Sequence, residues 1–144
     1  MPVINERIIL KCKPEEAFCQ ISKLEFMDKI NPKAGLNTSV IFKNDRIIRY
    51  VLNVEGVGSW ESERVLIPEN NIIVTQRRNP LKPFQYMVIV HAFKEHPQGT
   101  CFTYVEEFEV DKENADKEEQ IYQDISKKVR PNLEKIADYF NAKK

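Results

Sequence analysis

The chain has 144 residues, which suits a single domain, and 42% of them are hydrophobic, which is enough to build a core at this size. Its 22 basic and 22 acidic residues cancel, and this balance argues against a nucleic-acid-binding protein, because such proteins normally present a net basic face to the phosphates. Three cysteines without a CxxC motif and two histidines argue against a Cys/His zinc site and favour a reduced, cytoplasmic protein.

The pattern along the chain predicts one strand, two short helices, six further strands and one long helix. The first strand covers residues 2–12, and Pro14 with two following glutamates marks the start of the first helix. A second helix over residues 25–30 ends before Pro32. The six strands are predicted over residues 37–43, 46–55, 59–67, 72–78, 84–94 and 100–110. Short turns join them, which is typical of an antiparallel meander.

Residues 115–141 are predicted to form a long amphipathic helix. Its apolar stripe recurs at steps of three and four residues: Ile121, Ile125, Val129, Leu133, Ile136 and Phe140. Pro131 should kink this helix, and Asn132 places an amide beside the stripe. Because this helix is the predicted element long enough to cover one face of the curved sheet, we expect an α+β fold with a cavity between the sheet and the helix.

Polar side chains fall on the predicted inner face of strand 59–67. Trp60, Ser62 and Arg64 share one face of this strand, and the other face carries two glutamates, so we predict that the first face is inward. A buried guanidinium is costly unless it is paired, which makes Arg64 a candidate for polarising a ligand oxygen. The alternatives are that Arg64 reaches the solvent or forms a structural ion pair.

Two other strands add ionisable groups to the predicted interior. His91 and Glu106 fall on the inner registers of strands 84–94 and 100–110, although a lone inward histidine is more often a hydrogen-bonded core residue and Glu106 is the obvious ion-pair partner for Arg64. Gln76 and Arg78 are further candidates. The predicted interior therefore holds an unusual number of polar side chains for a packing core: Ser62, Arg64, His91, Tyr104, Glu106 and Asn132. These observations predict a polar-studded cavity for an organic ligand.

Motifs for common cofactors and for membrane insertion are missing. With four glycines and no GxxxxGKS/T or GxGxxG motif, we expect no nucleotide cofactor. The first residues lack the basic start and apolar run of a signal peptide, and no apolar run approaches the roughly 18 residues of a membrane span.

Four segments, in order and at similar spacing, together resemble the aromatase/cyclases of aromatic polyketide synthesis, of the tetracenomycin and spore-pigment types. WESERV at 60–65 resembles their W-x-S-x-R strand, and PFQYM at 83–87 resembles their PFxYM strand. GT at 99–100 with YVEEF at 104–108 resembles their GT…WVQEF strand. RPNLEKI at 130–136 resembles R-x-N-M-E-x-I in their long helix.

The resemblance implies the helix-grip fold of the START/Bet v 1-like superfamily, with seven antiparallel strands curved around the C-terminal helix. It also implies that a poly-β-ketone, tethered to an acyl carrier protein, is folded in the cavity for regiospecific aldol cyclisation and dehydration, without metal or nucleotide cofactor. Arg64 would polarise a ketone or shuttle a proton, Ser62 would orient Arg64 or a water, and Asn132 would hold another oxygen. The remaining residues carried over would shape the pocket or its mouth: Trp60, Met87, Tyr104, Arg78, Val129 and Phe26, or Met27 in the place of Phe26.

The chemistry leaves the general base open. Arginine is a poor base because its pKa exceeds about 12, so Arg64 is assigned as the electrophile, and His91, Glu106 or a water held by Ser62 are candidates for the base. A second class of function is a non-catalytic carrier of a lipid, quinone or polyketide, for which the same cavity would serve. An interaction module is a third class, which would need a large exposed apolar patch.

Overall fold

The computed structural model describes residues 2–32, 36–79 and 82–142. The elements, in chain order, are β1 Val3–Leu10, α1 Pro14–Ile21, α2 Phe26–Ile30, β2 Leu36–Lys43, β3 Ile47–Val54, β4 Gly58–Ile67, β5 Ile72–Arg77, β6 Phe84–His96, β7 Gly99–Val110 and α3 Glu118–Ala142. A 3-10 helix, Lys112–Lys117, replaces the first turn predicted for the long helix. Each predicted strand and helix is present, with small differences at the ends.

The seven strands form one antiparallel sheet in the order β1-β7-β6-β5-β4-β3-β2. Consecutive strands from β2 to β7 are neighbours in the sheet, and β1 is the edge strand beside β7. Alternate residues of each strand point to the same face, so register alone decides which side chains meet under α3. The predicted architecture, a curved sheet with a long C-terminal helix, is confirmed.

The apolar stripe of α3 packs against the inner face of the sheet. Its buried residues are Val129, Leu133, Ile136, Ala137 and Phe140. Aromatic side chains fill the sheet side, with Phe93 and Phe102 stacked at 4.8 Å between ring centroids. Between Phe102 and Phe108 on β7, the inward residues Tyr104 and Glu106 border a space between sheet and helix.

A buried hydroxyl ties the start of β7 to the segment between β1 and α1. Thr100 is 0% exposed, and its Oγ1 donates a 2.7 Å hydrogen bond to the carbonyl oxygen of Cys12. We expect Thr100→Val to lower the free energy of unfolding by about 1–2 kcal/mol, because the methyl group keeps the volume but removes the donor. Urea unfolding at equilibrium measures this difference.

Thr103→Val is the matched control on the same strand. Thr103 lies on the outer register, opposite Arg7 of β1, so its replacement should change the free energy of unfolding by no more than about 0.5 kcal/mol. Equal losses for Thr100→Val and Thr103→Val would show that the hydroxyl of Thr100 has no particular role.

Candidate functional site

A cavity of about 320 Å³ lies between the sheet and α3, with α2 at its edge. Most of the residues predicted for the site line it: Trp60, Ser62, Arg64, Met87, His91, Tyr104, Glu106, Val129 and Asn132. Strand alternation places seven of them there, because β4, β6 and β7 turn every second side chain inward, and Val129 and Asn132 lie on α3. A wider surface cleft of about 980 Å³ lies at the start of α1, but it is more open to solvent and contains none of the predicted site residues.

Two predicted pocket residues lie elsewhere. Phe26 is buried against α3, with its ring 5.1 Å from Tyr139 and 6.0 Å from Phe140, and the next residue of α2, Met27, lines the cavity instead. A five-residue helix gives too short a pattern to show which side chain faces inward. Phe26 therefore positions α2 and does not border the cavity.

Arg78, the second residue wrongly predicted for the pocket, lies on the outer face of the sheet. Its guanidinium forms ion pairs with Glu61 at 3.3 Å and with Glu63 at 3.2 Å. Gln76, also predicted as polar lining, faces outward and donates a 3.4 Å hydrogen bond to Glu63. The register pairs Ser62 with Arg77, so the odd-numbered residues of β5 point inward.

Arg77 and Thr75 are among the lining residues that the sequence pattern did not predict, together with Tyr50, Leu52 and Lys128. Ile72, Ile73 and Val74 are all apolar, so alternation in β5 could not reveal which face is buried. The guanidinium of Arg77 lies 4.2 Å above the ring of Trp60, in cation–π geometry, and this contact fixes it in the cavity wall. Among the described residues, the guanidinium of Arg77 makes no hydrogen bond.

Arg64 is buried without a carboxylate partner among residues 2–32, 36–79 and 82–142. It is 8% exposed, and its Nη1 donates to the carbonyl oxygens of Ile21 at 3.2 Å and Ser22 at 3.0 Å. Both carbonyls belong to the C-terminal end of α1, where a cation is favoured by the helix dipole. Both structural alternatives for Arg64, an ion pair with Glu106 and a guanidinium in solvent, are therefore wrong.

Most of the hydrogen-bonding capacity of Arg64 is unused. Its Nε is buried with no partner in the described part of the chain, and its Nη2 makes no hydrogen bond there either. Thr75 Oγ1 and His91 Nδ1 are also buried without partners. Buried polar groups are normally satisfied, so three such atoms on residues of one cavity indicate a site whose polar groups await a ligand or ordered water.

Tyr104 and Glu106 form a hydrogen-bonded pair on β7. The Tyr104 hydroxyl donates to Glu106 Oε1 at 2.5 Å, and Glu106 is 5% exposed. Burial raises the pKa of Glu106 above its ordinary value, and the Tyr104 hydrogen bond and the charge of Arg77 oppose this rise. Burial also raises the pKa of Tyr104, and the neighbouring Glu106 raises it further. The phenol therefore stays protonated.

His91 is held in its neutral form. Burial, assisted by the charge of Arg64, lowers the pKa of His91 to about 3. Its ring packs 5.4 Å from that of Tyr104 and 5.6 Å from that of Phe102. At neutral pH the imidazole therefore offers hydrogen-bonding atoms without a charge.

The described residues contain no cluster of three or more His, Cys, Asp or Glu side chains arranged to hold a metal ion. Within the same part of the chain, none of the helices has both the length and the apolar character needed to cross a bilayer.

No family model and no curated protein matches this sequence, but solved structures match its fold. The Zhui aromatase/cyclase from a Streptomyces species is 12% identical, with a TM-score of 0.78 over 97% of this chain and 93% of that chain. The di-domain ARO/CYC StfQ from the steffimycin biosynthetic pathway is 11% identical, with a TM-score of 0.81 over 98% of this chain and 51% of that chain. Norcoclaurine synthase from Thalictrum flavum is 12% identical, with a TM-score of 0.74 over 96% and 85%.

At these identities the likeness establishes the fold. The chain has the helix-grip fold that the resemblance implied, and its cavity lies between the sheet and the long helix.

Proposed function

We propose that the protein is a polyketide aromatase/cyclase-like enzyme, which binds a poly-β-ketone in the cavity and promotes regiospecific aldol cyclisation and dehydration. The observation that carries this proposal is the buried guanidinium of Arg64, which has unused donors on the wall of the cavity between the sheet and α3. The likeness of fold to two aromatase/cyclases supports the same reaction class.

Arg64 is the proposed electrophilic group. An aldol step places negative charge on the carbonyl oxygen that is attacked, and a fixed cation in a site that excludes bulk water stabilises this charge strongly. The carbonyls of Ile21 and Ser22 hold the guanidinium before substrate binds, so little reorganisation is needed. Ser62 and Asn132, which line the same cavity, are proposed to orient Arg64 or a water and a second substrate oxygen.

Glu106 is the proposed general base. Its raised pKa makes its carboxylate a stronger base than an exposed glutamate, whereas the lowered pKa of His91 makes the imidazole a weak one. The carboxylate removes a proton from the carbon between two ketones, and the resulting enolate carbon forms a bond to a third carbonyl carbon. The proton then passes from the carboxyl group to the new alkoxide. Removal of a second proton from the same carbon, with departure of the hydroxyl group as water, completes the dehydration.

The shape of the pocket is proposed to select the ring that closes. Trp60, Met87, Tyr104 and Val129 line the cavity, whereas Phe26 and Arg78 are left out of the proposed site because they face elsewhere. The substrate is proposed to arrive tethered to an acyl carrier protein, in keeping with the sequence resemblance.

Glu106→Gln tests the proposal. In an assay that couples the protein to a minimal polyketide synthase, we expect the wild-type protein to shift the products toward one cyclised aromatic compound. Glu106→Gln should lower the rate of this step by roughly 10²- to 10⁴-fold, because the amide cannot accept the proton. Liquid chromatography with mass spectrometry measures the products.

Glu107→Gln is the matched control, since Glu107 is the next residue of β7 and faces outward, toward Tyr86. It should behave like the wild-type protein. A product distribution that is the same with and without the wild-type protein would contradict the proposed reaction.

A non-catalytic carrier is the second candidate, and the apolar side chains that make up much of the lining favour it. Native mass spectrometry of the purified protein distinguishes the two, because a carrier should retain a lipid, quinone or polyketide. The volume of about 320 Å³ favours a compact ligand over a long acyl chain.

A further inference from the structure

We infer that the cavity takes a planar monoanion of one- or two-ring size, with its charge shared between two oxygen atoms, as in the enolate of a β-diketone or an aryl carboxylate. This inference concerns the ligand of the same cavity. It rests on the proposed function only in taking this cavity as the binding site, and it does not assume the proposed reaction. Charge, spacing and size each support it.

Positive charge exceeds negative charge along the cavity. Of the described lining residues, Arg64, Arg77 and Lys128 are cationic, and Glu106 is the acidic one. Lys128 is exposed, whereas the two arginines are withdrawn from bulk water. Since burial also raises the pKa of Glu106, its carboxyl group compensates the two guanidiniums incompletely. Uncompensated buried charge is costly, and an anionic ligand would remove this cost.

The two glutamates of β4, the strand that carries Arg64, are already paired on the opposite face of the sheet. Glu63 accepts hydrogen bonds from Arg49 at 2.9 Å and from Arg78 at 3.2 Å, and these contacts hold the pKa of its carboxyl below the ordinary value. Glu61 pairs with Arg78 at 3.3 Å. These outer carboxylates therefore pair with outer cations, and among the described lining residues Glu106 is the acid that faces Arg64 and Arg77.

The two inner arginines lie close together on the inner face of the sheet, so one bidentate anion could contact either or both. Arg64 is paired directly with Thr75, and Arg77 lies two residues further along β5, so the two arginines are diagonal neighbours on one face. Such positions are roughly 7–8 Å apart at the backbone, and both side chains line the same cavity. The aromatic rings of Trp60 and Tyr104 supply flat surfaces for a planar body.

The volume limits the body of the ligand. A cavity of about 150 Å³ suffices for benzene, so about 320 Å³ suits one or two rings. For a longer poly-β-ketone, only the segment that closes the ring would be enclosed, and that segment is the one that carries enolate charge.

Isothermal titration calorimetry near neutral pH tests the inference with two probes of equal shape. 2-Naphthoate is a planar monoanion, and 2-naphthamide is its neutral counterpart. We expect naphthoate to bind roughly tenfold to a hundredfold more tightly, because charged hydrogen bonds to Arg64 or Arg77 form only with the anion. Arg64→Gln and Arg77→Gln should each remove most of this preference, and Arg78→Gln, on the outer face, should keep it.

Each other outcome overturns the inference. Equal or tighter binding of naphthamide would show that the cavity prefers neutral ligands, and an unchanged preference in both inner variants would place the anion elsewhere. Failure of both probes to bind at millimolar concentration would contradict the size and charge argument. None of these results requires loss of cyclisation in the coupled synthase assay, so the proposed reaction is judged separately.

Discussion

Arg64→Ala is expected to abolish correct cyclisation while the protein remains folded. Loss of one donor to a developing oxyanion typically lowers the rate by about 10²- to 10³-fold, and the alanine variant removes the whole guanidinium. The variant also leaves the carbonyls of Ile21 and Ser22 without their donor, so we expect about 1–3 kcal/mol less stability. The product distribution in the coupled synthase assay measures the first effect, and urea unfolding measures the second.

Two further variants separate chemistry from folding. Arg64→Lys keeps the charge but lacks the planar fork, so it should retain part of the activity. Arg49→Ala removes an arginine that pairs with Glu63 on the outer face, and it should leave the products unchanged. An unaltered product distribution with folded Arg64→Ala protein would reject the electrophilic role of this residue.

Acidification is expected to destabilise the protein through His91. The pKa of His91 is lowered from about 6.5 in the unfolded chain to about 3 in the folded protein, so the unfolded state binds a proton that the folded state excludes. The free energy of unfolding should therefore fall by about 1.4 kcal/mol per pH unit from this group as the pH drops from about 6 to about 4. Urea unfolding at a series of pH values measures the slope.

Two variants isolate this contribution. His91→Phe retains a ring beside Phe102 and Tyr104 but cannot bind a proton, so its stability should depend less on pH over the same range. Glu106 has the opposite effect, because its pKa is higher in the folded protein than in the unfolded chain. Its contribution to the free energy of unfolding is therefore lost as the pH rises from about 4.5 toward the pKa that Glu106 has in the folded protein. Glu106→Gln should therefore make the free energy of unfolding fall more steeply as the pH drops. Parallel profiles for the wild-type protein and His91→Phe would contradict the buried neutral imidazole.

Periodicity was sufficient to predict the fold and much of the cavity wall. Turn residues separated the strands, and in β4 the two glutamates opposite Trp60 and Arg64 showed which face is outward. The apolar stripe of α3 similarly identified the covering helix.

The errors occur where the local pattern is ambiguous. β5 is apolar on both faces at its start, so Arg77 could not be distinguished from Arg78 without the pairing to Ser62. The partners of Arg64 are carbonyl groups at the end of α1, and no residue type encodes a backbone oxygen. The sequence therefore did not show that Arg77 points into the cavity or that Arg64 lacks a carboxylate partner. For this reason the excess of cations in the cavity could be recognised only from the structure.

Trp60 is the single tryptophan of the chain, and it lies in the cavity wall beneath the guanidinium of Arg77. Fluorescence excited at the long-wavelength edge of protein absorption therefore comes from this one indole in the cavity wall. A ligand that displaces Arg77 from the indole alters the surroundings of that one emitter. Compound libraries can thus be screened optically on the unlabelled protein, before any substrate has been identified.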